Sequence, residues 1–207
     1  MVPLTGLAFF VLAIVGFMIS GDTPDPGDPA QEIVDFYVDN EGSQVLSAIL
    51  TALAGTLLVF FGAHLRAILR EGEGKGDFLP TVLLAGAIII AVGLAIDASI
   101  IFALTDTAEE IDPAAVQALS ALYNNDFVPF AMGSQIFLLA LGISVLSGGA
   151  LPKWIGWIAI ALAVIAVTPI GFVSFIGWGI LVAIISVMLT MRARATPHSR
   201  AQGDALP

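Results

Sequence analysis

The sequence predicts an all-α integral membrane protein, a polytopic bundle of six transmembrane helices, and three observations predict this class. Of the 207 residues, 58% are hydrophobic and 12% are charged, and the mean hydropathy is +0.99, which is more apolar material than the surface of a soluble domain can hide. The apolar residues form runs of about 20, the length that crosses a hydrocarbon core of about 30 Å. The basic residues lie only between alternate runs or after the last one, as in chains that cross a bilayer repeatedly.

The six apolar runs define the predicted spans. They cover residues 2–20, 45–65, 79–104, 127–146, 154–169 and 171–191. The last two runs form one apolar stretch that Pro169 and Gly171 interrupt, and a single helix of that length would exceed about 50 Å at about 1.5 Å per residue. We therefore expect a tight turn between two shorter helices. Residues 192–207 are polar and are expected to form a disordered cytoplasmic tail.

The first run has the length of a signal-peptide core as well as that of a span. No basic residue precedes it, and no small-residue cleavage pattern follows it. These features favour a retained first span over a cleaved signal peptide.

The basic residues predict the orientation of the chain. All seven lie in the second connection, the fourth connection or the C-terminal tail, at Arg66, Arg70, Lys75, Lys153, Arg192, Arg194 and Arg200. By the positive-inside rule these segments are cytoplasmic, so both termini face the cytoplasm. The opposite side carries two acidic loops without a base. The predicted location is therefore the plasma membrane, with the acidic loops outside the cell.

Each outer loop is predicted to contain a short amphipathic helix. Residues 21–29 are acidic and rich in Pro and Gly, which predicts an extended segment. Residues 31–40 then alternate apolar and acidic positions at helical spacing after the helix start Asp28-Pro29, and Asp112-Pro113 begins a second run of this kind. The shared layout leaves open a weak parallel repeat of two hairpins, although interfacial aromatic belts explain the same pattern.

Three segments resemble a known bacterial class. They are Glu-Ile-Val-Asp-Phe-Tyr at 32–37, Leu-Arg-Ala-Ile-Leu-Arg at 65–70, and Gly-Ala-Leu-Pro-Lys-Trp-Ile-Gly-Trp at 149–157. Together they resemble a bacterial family of six-span integral membrane proteins of unknown function. The resemblance covers most of the chain and implies a plasma-membrane helical bundle, and it carries over no catalytic residue.

Asp97 is the carboxylate that lies inside a predicted span. Gly86 and Gly93 lie within about 40° of it around the same helix, so the stripe should contact another helix and turn Asp97 toward the bundle interior. We expect that helix to be the fourth span. An intramembrane acid costs about 2.5–3.5 kcal/mol, and every base is assigned to the opposite side. Asp97 is therefore expected to be protonated, hydrogen-bonded to Gln135 or Ser134, or reached by an external cation or water.

These considerations predict a candidate binding site in an outward cavity around Asp97, for a proton, a metal cation or a small amine. The candidate residues are Asp97, Gln135, Ser134, Tyr123, Asn125 and Tyr37. A second interpretation stays open, in which Asp97 is a neutral hydrogen-bonded latch between helices.

Several chemistries are excluded by what the chain lacks. Cys is absent, and of the two His residues His64 lies at a helix end while His198 lies in the tail. Zinc sites need three or four good ligands, and intramembrane haem usually needs two axial ones, so we expect no metal site and no cofactor. No histidine at its depth can activate Ser134, so we expect no enzyme. A net charge of −10 excludes nucleic-acid binding.

Two functions of different classes remain. The preferred interpretation is an accessory or scaffold protein that packs in the lipid bilayer against a membrane-protein partner or another copy of itself. The alternative is a small carrier or ligand-binding protein that uses Asp97.

The orientation is testable by labelling. We expect a tag after Pro207 and labels in the 71–78 loop to be protected in intact cells, and labels at Asp25 or Glu110 to react from outside, because every base lies on one side. Accessibility to a membrane-impermeant reagent is the measurement. An externally accessible C-terminus contradicts the predicted orientation.

Overall fold

A computed structural model describes residues 2–72, 76–166, 168 and 171–195. This part of the chain is all-α. After a 3₁₀ turn at Val2–Leu4 come the helices α1 (Thr5–Ser20), α2 (Ala30–Asp39), α3 (Glu41–Gly72), α4 (Phe78–Thr107), α5 (Pro113–Tyr123), α6 (Val128–Gly148), α7 (Lys153–Ile165) and α8 (Gly171–Ala195).

Five segments of the described chain are long and apolar enough to cross a membrane. They are Val2–Ser20, Glu41–Gly72, Phe78–Thr107, Pro113–Gly148 and Val173–Arg194. The helix in the fifth predicted span is α7, which has 13 residues. At about 1.5 Å per residue it extends about 20 Å, less than the hydrocarbon core. The chain is thus a multi-span helical membrane protein in contact with the lipid bilayer, with five spans supported by helix length.

The predicted break between the last two runs is confirmed. Helix α7 ends at Ile165 and α8 begins at Gly171, while Val167, Pro169 and Ile170 lie outside the described residues. Helix α8 continues through Arg192 and Arg194, where positive charge is favourable near a helix C-terminus. The first residues of the expected tail, 192–195, are thus helical, and 196–207 lie outside the described residues.

Six helices form a closed ring. Going around it, α1 packs against α3, α3 against α4, α4 against α6, α6 against α7, α7 against α8, and α8 against α1. Side-chain hydrogen bonds to backbone reinforce the last two contacts: Ser174 Oγ donates to the Leu162 carbonyl at 2.7 Å, and Ser186 Oγ accepts from the Leu7 amide at 2.9 Å. Because buried polar groups need partners, these bonds fix how α8 sits against α7 and α1.

The interior of the ring is filled by aromatic and branched side chains. At its centre Trp178 is 2% exposed. Its ring meets Phe9 and Phe137 edge to face, at centroid distances of 5.4 and 5.9 Å. This is the geometry that aromatic quadrupoles favour.

Glycines set the closest helix contacts. A Cβ added at Gly86 would lie 2.7 Å from the Phe137 backbone nitrogen and 2.8 Å from the Gly133 carbonyl oxygen. A Cβ at Gly93 would lie 2.9 Å from Pro129 Cβ. These contacts confirm that the glycine stripe of α4 packs against the fourth predicted span. Without side chains at the crossing, the two backbones approach closely enough for dispersion to hold them together.

The described basic residues gather at one end of the ring. Arg192 Nη1 donates to the Ala150 carbonyl at 3.1 Å, and the last residue of α3, Gly72, lies against Ala150. Nearby, Arg66 at the end of α3 forms an ion pair with Asp77, just before α4. The acidic loops 21–29 and 108–112 lie at the other end, so charge is segregated along the bundle axis.

The two outer loops each contain the expected short helix, α2 and α5. Asp112 caps α5 by accepting a hydrogen bond from the Ala114 amide at 2.8 Å, as its position before Pro113 predicts. The apolar faces pack together and against the end of α4, forming a second cluster around Ile33, Tyr37 and Leu104. The helices thus bury their apolar faces against protein. We call this paired unit the outer cap.

The α4–α6 crossing gives a stability prediction. Gly86→Ala should lower the free energy of unfolding by about 1–3 kcal/mol, because the new methyl overlaps backbone atoms that cannot move away. Gly42→Ala is the matched control, since nothing lies within 4 Å of its added Cβ. Thermal unfolding in detergent is the measurement, and equal losses in both variants contradict the assigned crossing.

The Arg66–Asp77 pair gives a pH prediction. The hydrogen bond from Arg66 holds the pKa of the Asp77 carboxyl below its ordinary value. The pair therefore stabilises the fold fully above the unfolded-state pKa, and this contribution disappears as pH falls through the lower folded-state pKa. Arg66→Gln should raise the pKa of Asp77 toward its ordinary value, whereas Arg194→Gln should not. Carboxyl ¹³C chemical shifts measure it.

Candidate functional site

Asp97 lies at the outer end of the ring, beyond the first turn of α6. The antiparallel contact between Gly93 and Pro129 aligns the two helices. Asp97 is one turn further along α4, about 6 Å toward the acidic end. This brings it level with the connection 124–127, and Asp126 of that connection is close enough to interact electrostatically with Asp97. Two carboxyl groups therefore face the same region.

Tyrosines from both helices of the outer cap reach this region. The charge of Asp97 acts on the phenol groups of Tyr37 in α2 and Tyr123 in α5. The charge of Asp126 acts on the phenol of Tyr123 as well. The side chain of Tyr123 packs among Ala48 of α3 and Ala98 of α4. We call Asp97, Asp126, Tyr37, Ser120 and Tyr123 the outer polar cluster.

Three oxygens of the outer polar cluster are buried without a hydrogen-bond partner in the described part of the chain. They are Tyr37 Oη, Ser120 Oγ and Asp126 Oδ2. Tyr37 and Ser120 are 0% exposed. Burial raises the pKa of the Tyr37 phenol, an effect that the adjacent Ser120 hydroxyl partly offsets and the Asp97 charge reinforces. Native proteins rarely leave such groups unpaired, because each costs about 1–3 kcal/mol.

The groups that act electrostatically within the outer polar cluster are acidic or neutral. The groups that act on Asp97, Tyr37 and Tyr123 are carboxyls, phenols and hydroxyls. The basic side chains that the structure describes lie toward the opposite end of the ring, in the last turns of α3 and α8 and at the start of α7. They are Arg66, Arg70, Lys153, Arg192 and Arg194. Within the described residues, the carboxyl pair is therefore not neutralised by a basic partner.

Hydrogen bonds to backbone fasten the outer cap and the acidic segment together. Gln117 Nε2 of α5 donates to the carbonyls of Pro26 and Asp28, both at 3.0 Å, and Asn124 Nδ2 donates to the Pro24 carbonyl at 3.4 Å. Below them Gln44, which is 0% exposed, donates to the Ser20 carbonyl at 2.8 Å. The segment 21–29 is therefore held across α5 above the cluster.

The expected contact between Asp97 and Gln135 is wrong. Gln135 lies six residues inward from Pro129 while Asp97 lies four residues outward from Gly93, so about 15 Å separates them along the axis. Gln135 is also about 200° around α6 from Gly133, the residue that faces α4. Gly142, which follows Gln135 by seven residues and lies on nearly the same face of α6, meets Gly156 and Ile160 of α7, so this face packs against α7.

Two other predicted site residues make local bonds. Ser134 Oγ donates to the Ala131 carbonyl of its own helix at 3.1 Å. Asn125 is exposed, and its Nδ2 donates to the Ala121 carbonyl at 2.7 Å. Of the six predicted residues the structure thus brings together Asp97, Tyr37 and Tyr123, and it separates Gln135, Ser134 and Asn125 from them.

Sequence reasoning missed Ser120 and Asp126 as members of this region. A signal was present, because Ser120 precedes Tyr123 by three residues and shares its helix face. Asp126 carried no comparable signal, since its distance from Asp97 depends on the axial position of α6 relative to α4.

Two open clefts lie beside the outer cap. One, of about 310 Å³, is lined by Glu41, Val45, Phe102, Ala103, Thr105 and Asp106. The other, of about 340 Å³, lies between α2 and the start of α5, with Asp35 and Glu109 among its lining residues. Asp97 lines neither cleft. The outer polar cluster offers carboxyl, phenol and hydroxyl oxygens beneath the outer cap. Oxygen atoms of this kind can bind a proton or a small cation.

The unpaired Tyr37 hydroxyl gives a prediction with a matched control. In low-salt, metal-free buffer, Tyr37→Phe should leave the free energy of unfolding unchanged or raise it, because the hydroxyl it removes has no partner. Ser47→Ala removes a buried hydroxyl that donates to the Gly16 carbonyl at 2.9 Å, and should cost about 0.5–1.5 kcal/mol. Thermal unfolding compares the two, and a larger loss for Tyr37→Phe contradicts the assignment.

Comparison of the chain with protein-family models, with curated proteins and with solved structures finds no match. By its five long apolar segments the chain is a multi-span helical membrane protein.

Proposed function

We propose that this protein binds a proton or a small cation at the outer end of a plasma-membrane bundle. The observation that carries the proposal is the outer polar cluster, in which Asp97 and Asp126 lie together among hydroxyl groups with no described base beside them. A carrier that moves the bound species, or a receptor that only senses it, can use such a site. Ionisable groups at these positions commonly mark ion or proton pathways.

The physical reason is charge balance. Removing one carboxylate from water is expensive without a partner, and a second carboxylate nearby adds repulsion. Neutralisation by a proton or a bound cation removes both penalties. Because the described bases lie toward the far end of the ring, the neutralising charge has to come from solution.

The proposal includes a topology. It has six spans, the fifth of which contains α7, and both termini are cytoplasmic. Support comes from the concentration of described basic residues at one end and of acidic loops at the other. In this orientation the outer polar cluster faces outside the cell.

The proposal assigns no catalytic step and no cofactor. The sequence has no Cys and only two His residues, one of them in the terminal tail. The residues of the outer polar cluster are carboxyls and hydroxyls, and no His, Lys or Arg side chain among the described residues is assigned to the cluster. A binding role uses these groups as they are.

A second candidate is the accessory or scaffold role, in which the outer cap contacts a membrane-protein partner or another copy of the chain. The cleft between α2 and α5 favours it, because Val34, Val38 and Ile111 line that cleft beside Asp35 and Glu109. An apolar floor with an acidic rim suits a basic amphipathic segment of a partner. Val38→Lys should then abolish assembly in native membranes while leaving monomer stability unchanged.

The binding proposal is tested by linkage. Unfolding of the purified protein should depend on pH between 4 and 9, by up to about 1.4 kcal/mol per pH unit for each proton exchanged, or on added cations. Asp97→Asn should remove the part of this dependence that Asp97 contributes, since the amide cannot ionise. Asp106→Asn, an exposed position on the same helix, is the control and should retain it. pH and cation responses of Asp97→Asn that equal those of wild type and of Asp106→Asn contradict the proposal.

A further inference from the structure

We infer that the basic end of the bundle carries a binding site for the headgroup of an anionic phospholipid, on the outward surface where α7 begins and α8 ends. This goes beyond the proposed function, because it lies at the opposite end of the ring from the outer polar cluster and uses none of its residues. We call the site the α7–α8 basic patch; its residues are Lys153, Trp154, Trp157, Arg192 and Arg194.

Hydrogen bonds place the start of α7 beside the end of α8. Arg192 Nη1 donates to the Ala150 carbonyl at 3.1 Å. Lys153 follows Ala150 by three residues, so their Cα atoms lie within about 10 Å of each other. Near the other ends of the two helices, Ser174 Oγ donates to the Leu162 carbonyl. The helices are therefore antiparallel neighbours, and Lys153 and Arg192 lie at the same end of the pair.

The α7–α8 basic patch carries more positive than negative charge. Over their described lengths α7 and α8 contain no acidic residue. Lys153 and Arg194 are exposed, and neither is in an ion pair within the described part of the chain. Glu71 precedes Gly72, which contacts Ala150, and it supplies one carboxylate against three basic side chains. The complementary ligand is therefore an anion.

Two tryptophans on the same surface point to a lipid. Trp154 is 44% exposed and Trp157 is 64% exposed. Together with Lys153 they lie within about 100° around α7, on the side opposite the buried residues of that helix. Exposed tryptophans beside basic residues are typical of the level where lipid headgroups meet acyl chains.

The indole groups add hydrogen-bond donors to the α7–α8 basic patch. In the part of the chain that the structure describes, neither Trp154 Nε1 nor Trp157 Nε1 donates to a protein acceptor, and an indole nitrogen can only donate. Trp157 lies four residues further into the bundle than Lys153, about 6 Å along the helix. A phospholipid has its phosphate at the surface and its ester carbonyls below, which suits this order. A soluble anion would use the basic side chains alone.

The number of basic side chains favours a lipid with net negative charge. In phosphatidylcholine the ammonium group of the lipid itself balances the phosphate, whereas phosphatidylglycerol leaves its phosphate for the protein. Each basic residue near an anionic membrane surface strengthens binding by about fivefold. In the proposed topology this end of the bundle faces the cytoplasmic leaflet, where anionic lipids attract such residues.

The test is quenching of tryptophan fluorescence by brominated lipids. The purified full-length protein is reconstituted in vesicles of dioleoylphosphatidylcholine that contain dibrominated phosphatidylglycerol or dibrominated phosphatidylcholine at equal mole fraction. Bromine quenches an indole that it touches. The third tryptophan, Trp178, is 2% exposed inside the ring, so quenching by lipid reports on Trp154 and Trp157. We expect the relative binding constant to favour phosphatidylglycerol by about fivefold or more.

Variants of exposed residues provide the controls. Lys153→Gln should lower the preference for phosphatidylglycerol by about fivefold, and Lys153→Arg should keep it. Arg70→Gln removes the same charge from the same end of the bundle. Arg70 is exposed and lies about 200° around α3 from Gly72, so it is directed away from Ala150. This variant should retain the wild-type preference.

Three outcomes would overturn the inference. Equal quenching of the wild type by the two brominated lipids shows that no anionic lipid is selected. Equal losses in Arg70→Gln and Lys153→Gln show a diffuse attraction to the whole basic end. Loss of the preference in inorganic phosphate, but not in chloride of the same ionic strength, assigns the patch to a soluble anion. The pH and cation responses of Asp97→Asn test the proposed function separately.

Discussion

The close approach of α4 and α6 is the contact on which the rest of the structure depends. At Gly86 and Gly133 neither helix has a side chain, so the backbones meet directly and their axial positions are fixed. In lipid this contact cannot rely on a hydrophobic driving force, and shape complementarity takes its place. Once the crossing is set, Asp97 must lie beyond the start of α6 and beside Asp126. A one-turn shift would move Asp97 by about 5 Å, against the side of α6.

The outer cap follows from that register. Because α4 extends past the end of α6, its last turns offer an apolar surface that α2 and α5 cover. When α2 and α5 cover this surface, Tyr37 and Ser120 become buried on the side of the bundle where Asp97 lies. The hydrogen bonds from Gln117 and Asn124 then hold the acidic segment 21–29 across the top. Burial of apolar surface and burial of the polar groups are thus consequences of the same arrangement.

The described basic residues lie far from Asp97 and Asp126, and this separation determines what the cluster can bind. A half-buried carboxyl beside a Lys or Arg would form an ordinary ion pair. Here two of the described bases bind elsewhere, Arg66 to Asp77 and Arg192 to the Ala150 carbonyl. The negative charge of the outer polar cluster is consequently not balanced by a described basic side chain.

The sequence by itself determined the membrane class, the position of the helices, the two short outer helices and the glycine contact of α4 with α6. These depend on local composition and helical periodicity, which one chain segment carries alone. It also identified Asp97, Tyr37 and Tyr123. Only the tertiary structure decided that Asp126 and Ser120 belong with them, and that Gln135 does not. The reason is that periodicity gives a residue's angle around its own helix, whereas its height relative to another helix depends on where the two backbones cross. That crossing separates Gln135 from Asp97 and places Asp126 beside it.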